Sequence, residues 1–196
     1  VNYFGKHIMT TQDDETALGQ GSSVKMETQE TMKIIAAGNI FTGTFERDGM
    51  GGILTLGRNF ECRPNKLKGY YKYTSAKVSV SKGHLNEGED DLCSLYIALT
   101  DEQITVNTNK GIYFDPNSSA VIAYGSISDE ESKGADSFKE FTVDLEYKDL
   151  KRIPKYIIVV ASSSKYGDYM EGGKGSTMWL DDLELVYPKS MEEVRK

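Results

Sequence analysis

Apolar residues recur at every second position in many short runs along this chain, and glycine, asparagine, aspartate and serine separate the runs. A side-chain period of two in short segments predicts half-buried strands. Ser23–Thr28 puts Val24 and Met26 on one face and Lys25 and Glu27 on the other. Met32–Ala36 is a second run, and Asn39–Phe45 sets Phe41 and Phe45 on a shared side. Ile53–Leu56 follows a flexible turn over 49–52. In Leu67–Tyr73, Leu67, Tyr71 and Tyr73 oppose Lys68, Tyr70 and Lys72; in Leu92–Leu99, Leu95, Ile97 and Leu99 oppose Ser94, Tyr96 and Ala98. Gly111–Phe114, Ala120–Ile127, Phe138–Leu145 and Thr177–Tyr187 are further strands. Tyr156–Ala161 is apolar without a break, the pattern of a central strand covered on both sides. Trp179 shares parity with Leu183 and Leu185 and is read as core. One short helical turn is expected, over Tyr147–Arg152 before Pro154, and residues 191–196 are read as a frayed tail. The reading is an all-β sandwich of two antiparallel sheets, a single domain over 1–196, with no internal repeat or low-complexity linker.

Composition narrows the partners. The formal net charge is −7. Nucleic-acid binding needs clustered positive charge, so it is excluded as a leading reading, and anionic membrane surfaces are disfavoured on the same ground. The longest apolar run is far short of the ~20 residues a spanning helix needs, so no direct membrane insertion is expected. The two cysteines, Cys62 and Cys93, leave a disulfide and two free thiols both open. The chain opens at Val1 without a basic-plus-apolar leader and is read as a mature or excised piece.

Candidate chemistry is sparse. Glu171–Thr177 is rich in glycine, but Gly175 separates Lys174 from Ser176 and a strand follows, so a phosphate loop is rejected. His7 and His84 carry no paired-ligand spacing, and no Gly-x-Ser-x-Gly elbow exists. Glycoside hydrolysis needs two carboxylates across a sugar bond. Asp90–Asp91 and Asp181–Asp182 are adjacent along strands and point to opposite faces. Asn117–Ser119 fits a glycan-acceptor pattern but reads better as a polar turn. Asp181 interrupts an apolar pattern and requires a partner, since an isolated buried carboxylate is costly. Glu46 is a candidate to face it, and the pair would suit a structural calcium; a salt bridge is the alternative. Tyr70, Tyr96 and Tyr124 lie opposite the main core-facing sets, with Lys72 on Tyr70's side. They are the candidate carbohydrate-binding residues, because sugars stack their apolar faces on exposed rings; tyrosines simply filling a sheet face is the alternative.

Several stretches together resemble the putative carbohydrate metabolism domain family of Bacteroidetes surface and secreted proteins. They are Ala37–Phe45, Arg63–Tyr73, Leu95–Asp101, Val121–Gly125 and, most specifically, Ala161–Tyr169 running through Gly172, Gly173, Gly175 and Ser176 into Leu180–Tyr187. The resemblance covers roughly residues 24–187, which leaves 1–20 as the remnant of an upstream region and 188–196 as a tail. It implies a galactose-binding-like jelly roll similar to carbohydrate-binding modules, exported to the outer-membrane surface, periplasm or exterior, often as a lipoprotein. It also implies further domains of a parent surface protein as partners, and a calcium at the places matched by Glu46 and Asp181. Ser162–Asp168 reads either as the rim of a ligand site or as a loop shaped over the sandwich end, and the second reading is preferred.

Three functions follow. The first is a non-catalytic module that binds poly- or oligosaccharide. The second is a structural or adhesive module of a surface protein. The third is a glycan-active hydrolase, which would need two opposed carboxylates in one groove.

Overall fold

A computed structural model describes residues 3–4, 7–49 and 51–189, so the expected tail over 191–196 and Met50 of the 49–52 turn lie outside it. The principal strands are β1 (Thr10–Asp13), β2 (Ser23–Glu27), β3 (Asn39–Phe41), β4 (Gly43–Asp48), β5 (Gly51–Leu56) and β6 (Lys66–Thr74). They continue as β7 (Ser94–Thr100), β8 (Ile104–Asn107), β9 (Val121–Ser126), β10 (Ala135–Asp144), β11 (Tyr156–Ser162) and β12 (Thr177–Val186). All principal pairings are antiparallel. The first sheet runs β10-β6-β12-β2-β1. The second runs β11-β7-β9 with Glu146–Tyr147 beyond β9, while β3 and Arg58–Asn59 share the free side of β11.

The two sheets make the expected jelly-roll sandwich, and alternation decides what lies between them. Met26, Leu67, Tyr71, Phe141 and Met178 from the first sheet meet Leu95, Ile97, Leu99, Ile122 and Ala161 from the second. Tyr71 and Phe141 meet edge to face with centroids 6.0 Å apart. The second sheet is apolar on its other face too, where Ala98 and Ile158 are fully buried. A third sheet, β8-β5-β4, covers that face with Leu56 and Val106. This is the double coverage that the unbroken apolar run of β11 announces.

Three local expectations are corrected. No strand forms over Gly111–Phe114, where Ile112 makes only an isolated bridge to Asn107. The helical turn expected at Tyr147–Arg152 is absent: Tyr147 pairs with Ala123, and Asp149 accepts the Lys151 and Arg152 amides in a bend. The short helix is α1 (Asp129–Ser132), started by a capping box between Ser128 and Glu131. Trp179 is not core. Asp182 takes a left-handed φ of 47°, and the β6–β12 register shifts between Lys68 and Tyr70. The bulge adds a residue and reverses parity across it. Leu180 and Leu185 therefore both pack with the core, whereas Trp179 falls on the outer face of the first sheet. Both cysteines are free, Cys93 buried and Cys62 exposed. Among the described residues no helix is long and apolar enough to cross a membrane.

Buried polar side chains hold the loop between β11 and β12 over one end of the sandwich. Asp91, fully buried, accepts from Ser164 Oγ at 2.5 Å, the Gly173 amide at 2.8 Å and the Leu92 amide at 2.8 Å. Thr28 Oγ1 shares hydrogen bonds with Ser163 and Ser164 at 2.8 and 2.7 Å. Burial raises the carboxyl pKa of Asp91 despite these donors. Glu171 is also fully buried, and its carboxylate accepts the amides of Lys82 (2.7 Å), His84 (3.2 Å) and Leu85 (2.5 Å). Burial pushes its pKa up, but these backbone donors and the His84 ring outweigh that and leave it below the ordinary 4.5. Glu171 thus ties the loop that follows β11 to residues 82–85.

Two predictions follow from this packing. Ile97→Ala opens a cavity in a fully buried position and should lower unfolding stability by about 2–5 kcal/mol, read from the urea midpoint. For Glu171 the folded pKa is the lower one, so its contribution is complete above the unfolded value near 4.5 and disappears as pH falls through the folded value. Glu171→Gln should cost about 1.5–3 kcal/mol at pH 7, and the melting-temperature gap to the native chain should close below pH 4.5.

Candidate functional site

The structure separates the four candidate sugar-binding residues. Tyr70 and Lys72 lie on the outer face of the first sheet, while Tyr96 and Tyr124 lie on the outer face of the second, beneath the third sheet. They form no common platform. Lys72 is 9% exposed, is ion-paired with Glu15, and sits 3.9 Å from the Trp179 ring centroid. Lys25 approaches the same ring at 5.3 Å. Residues between β1 and β2 fold across this area, so its principal aromatic group is already partnered.

Glu46 and Asp181 are also apart. Glu46 is an exposed residue of β4 in the third sheet. Asp181 lies in the first sheet, where its carboxylate accepts the amides of Ala17 at 2.8 Å and Asp182 at 3.0 Å. One ion held by both side chains would need them in one coordination sphere, and the full sandwich lies between them. The partner that Asp181 requires is backbone N–H.

A hollow lies between the second and third sheets. Its base is β7 and β11, through Ser94, Tyr96, Val160 and Ser162; Leu54, Leu56 and Val106 of β5 and β8 face them. Asn39 and Phe41 of β3 also line it, together with Ser164, Lys165 and Asp168. The free volume of about 70 Å³ has room for a few waters. Tyr96 stacks on Phe114 with centroids 5.0 Å apart, and Tyr124 leans on Tyr96 at 6.0 Å. The floor is therefore apolar and aromatic, and the polar groups gather at one end.

Asp168 is the acid among the described lining residues, and its carboxylate makes no hydrogen bond or ion pair within the described structure. The residue is open to solvent but crowded by protein on its other sides, as befits the rim of a concavity. Crowding raises its pKa. Tyr96 is raised first by burial and then by the charge of Asp168. Lys165, the lining cation, pairs with Asp129 at 3.1 Å.

Beside Asp168, Tyr166 and Tyr169 of the same loop join Tyr113 and His84 in a continuous aromatic array. Tyr113 stacks on Tyr169 at 4.0 Å, His84 meets Tyr169 at 4.3 Å, and His84 stacks on Tyr166 at 4.4 Å. The His84 ring nitrogen Nδ1 lies 3.1 Å from Glu171, so the carboxylate that ties down residues 82–85 also orients this ring. Of the four sequence candidates only Tyr96 lines the hollow. Asp168, Tyr113, Tyr166, Tyr169 and His84 lie outside that set because loop residues have no alternation to read. The polar Ser162–Asp168 stretch is the signal for Tyr166 and Asp168 alone, and it shapes the sandwich end.

The chain is similar to two solved Bacteroides proteins described as putative glycoside hydrolases. One, from Bacteroides thetaiotaomicron, is 25% identical with a TM-score of 0.73, over 93% of this chain and 58% of that one. The other, from Bacteroides vulgatus, is 24% identical with a TM-score of 0.70, over 91% of this chain and 77% of that one. The chain thus spans little more than half the length of the first. No curated protein matches it in sequence. The model of the putative carbohydrate metabolism domain matches residues 5–186, nearly the whole described sandwich from before β1 to the end of β12, and the chain belongs to that family.

Proposed function

We propose that this domain binds glycan without cutting it, and that the hollow beneath the third sheet is where it does so. The observation that carries the reading is the unpartnered Asp168 carboxylate set over an apolar floor and beside half-buried aromatic rings. Sugars present apolar C–H faces and hydroxyl donors together, and a site for them needs both kinds of surface. The family's carbohydrate association supports the ligand class.

The similar Bacteroides proteins are described as putative glycoside hydrolases, so cutting is the competing reading. Hydrolysis by the usual route needs two carboxylates roughly 5–10 Å apart across one sugar bond. Asp168 is the single acid on the described lining of the hollow. The neighbouring acids Asp91 and Glu171 are fully buried and occupied by backbone and hydroxyl donors. This arrangement favours binding. We place the domain in an exported surface protein of a polysaccharide-using bacterium, a setting that the kinship with Bacteroides proteins supports.

Isothermal titration against a panel of bacterial-diet and host polysaccharides tests the reading. At least one should bind, and Tyr169→Ala should weaken it at least tenfold, about 1.4 kcal/mol. Tyr70→Ala, on the opposite face, should bind like the native chain. If no glycan binds, the reading fails; loss of binding in Tyr70→Ala but not in Tyr169→Ala would move the site to the first sheet.

A further inference from the structure

Strand register settles which way the exposed ring of Phe45 faces. Residues directly opposite across an antiparallel pair share a sheet face. Leu54 of β5 stands opposite Val106 of β8 on one side and Phe45 of β4 on the other. Leu54 and Val106 line the hollow and pack toward the second sheet, so Phe45 shares their inward face. Cover falls away along this row: Val106 is 1% exposed and Phe45 55%. Gly52, two residues before Leu54 in β5, lies on the same face. A Cβ there would lie 2.0 Å from Cε2 of Phe45 and 2.7 Å from its Cζ, so the ring occupies the space that the glycine leaves. A phenylalanine on the outer face of this sheet would be an ordinary surface residue. This one faces the side that lines the hollow, is seated on a position without a side chain, and is left bare.

Resting on the glycan-binding reading, we propose that Phe45 is a further sugar-binding residue, a stacking ring on the third sheet that contacts the same ligand as the hollow, with Gly52 as the residue that positions it. The apolar C–H face of a sugar laid against this ring removes bare apolar surface from water on both partners. Tyr113, Tyr166 and Tyr169 already stack on one another or on His84, whereas Phe45 joins no ring pair among the described residues. Its exposed area is therefore open to a ligand.

The test titrates the best-binding oligosaccharide into the native chain and three variants. Phe45→Ala should weaken binding about fivefold or more, and Phe45→Trp should stay within about twofold of the native affinity. Both should melt close to the native chain, because the replaced ring is mostly exposed. Gly52→Ala has a φ that alanine adopts, and its methyl group must displace the Phe45 ring, so it too should weaken binding. Fluorescence gives a second readout that does not depend on the stability of Gly52→Ala. The one native tryptophan, Trp179, lies on the outer face of the first sheet, so sugar should leave its emission unchanged. The added indole in the Phe45→Trp chain should respond to sugar. Native-like affinity in Phe45→Ala, or an emission that sugar does not change in Phe45→Trp, overturns the proposal; weakened binding in Tyr169→Ala then keeps the glycan reading. Absence of binding by the native chain overturns both.

Discussion

The second sheet is apolar on both faces, and the rest of the molecule answers to that. Ile97 and Leu99 point into the sandwich while Ala98 and Ile158 point out of it, and all four are fully buried. A two-layer sandwich leaves its outer faces wet. Here β4, β5 and β8 form a third layer to keep water from Ala98, Ile158 and their neighbours. The hollow lies between that extra layer and the sheet it covers, with Leu54, Leu56 and Val106 on one side and Tyr96 and Val160 on the other. Ser164, Lys165 and Asp168 of the loop after β11 complete its lining.

That loop is polar, yet it is fixed by buried groups. Asp91 and Glu171 hold it through backbone amides and the Ser164 hydroxyl. A carboxylate inside a protein is tolerated where donors converge on it, and in return it constrains every segment that supplies one. Residues 82–85, 91–92 and 163–173 are gathered in this way, and they carry His84, Tyr166, Asp168 and Tyr169 to one end of the sheet. Asp168 alone among these acids lacks donors, which sets it apart from its structural neighbours.

Much of this is legible in sequence, and the failures have definite causes. Alternation places Leu67, Tyr71, Leu95 and Ile97 in the core and sets Tyr70, Tyr96 and Tyr124 on outer faces. It is silent on which sheet a strand joins, so Tyr70 and Tyr96 could be drawn as one row when the sandwich divides them. Trp179 is misplaced by a single bulge residue, since parity counted back from Leu185 does not survive the left-handed Asp182. The unbroken apolar run of β11 signals double coverage but not what supplies the second cover. Asp181 needs a partner, as its setting implies; the amide of Ala17, from a segment with no periodicity of its own, provides one.

The central claim is that ligand binds in the hollow between the second and third sheets. Backbone amide shifts followed by NMR during titration with a bound oligosaccharide test it most directly. Shifts should concentrate at Ser94, Tyr96, Tyr113 and residues 164–169, with the first sheet unperturbed. Shifts confined to Tyr70, Lys72 and Trp179 would contradict the account.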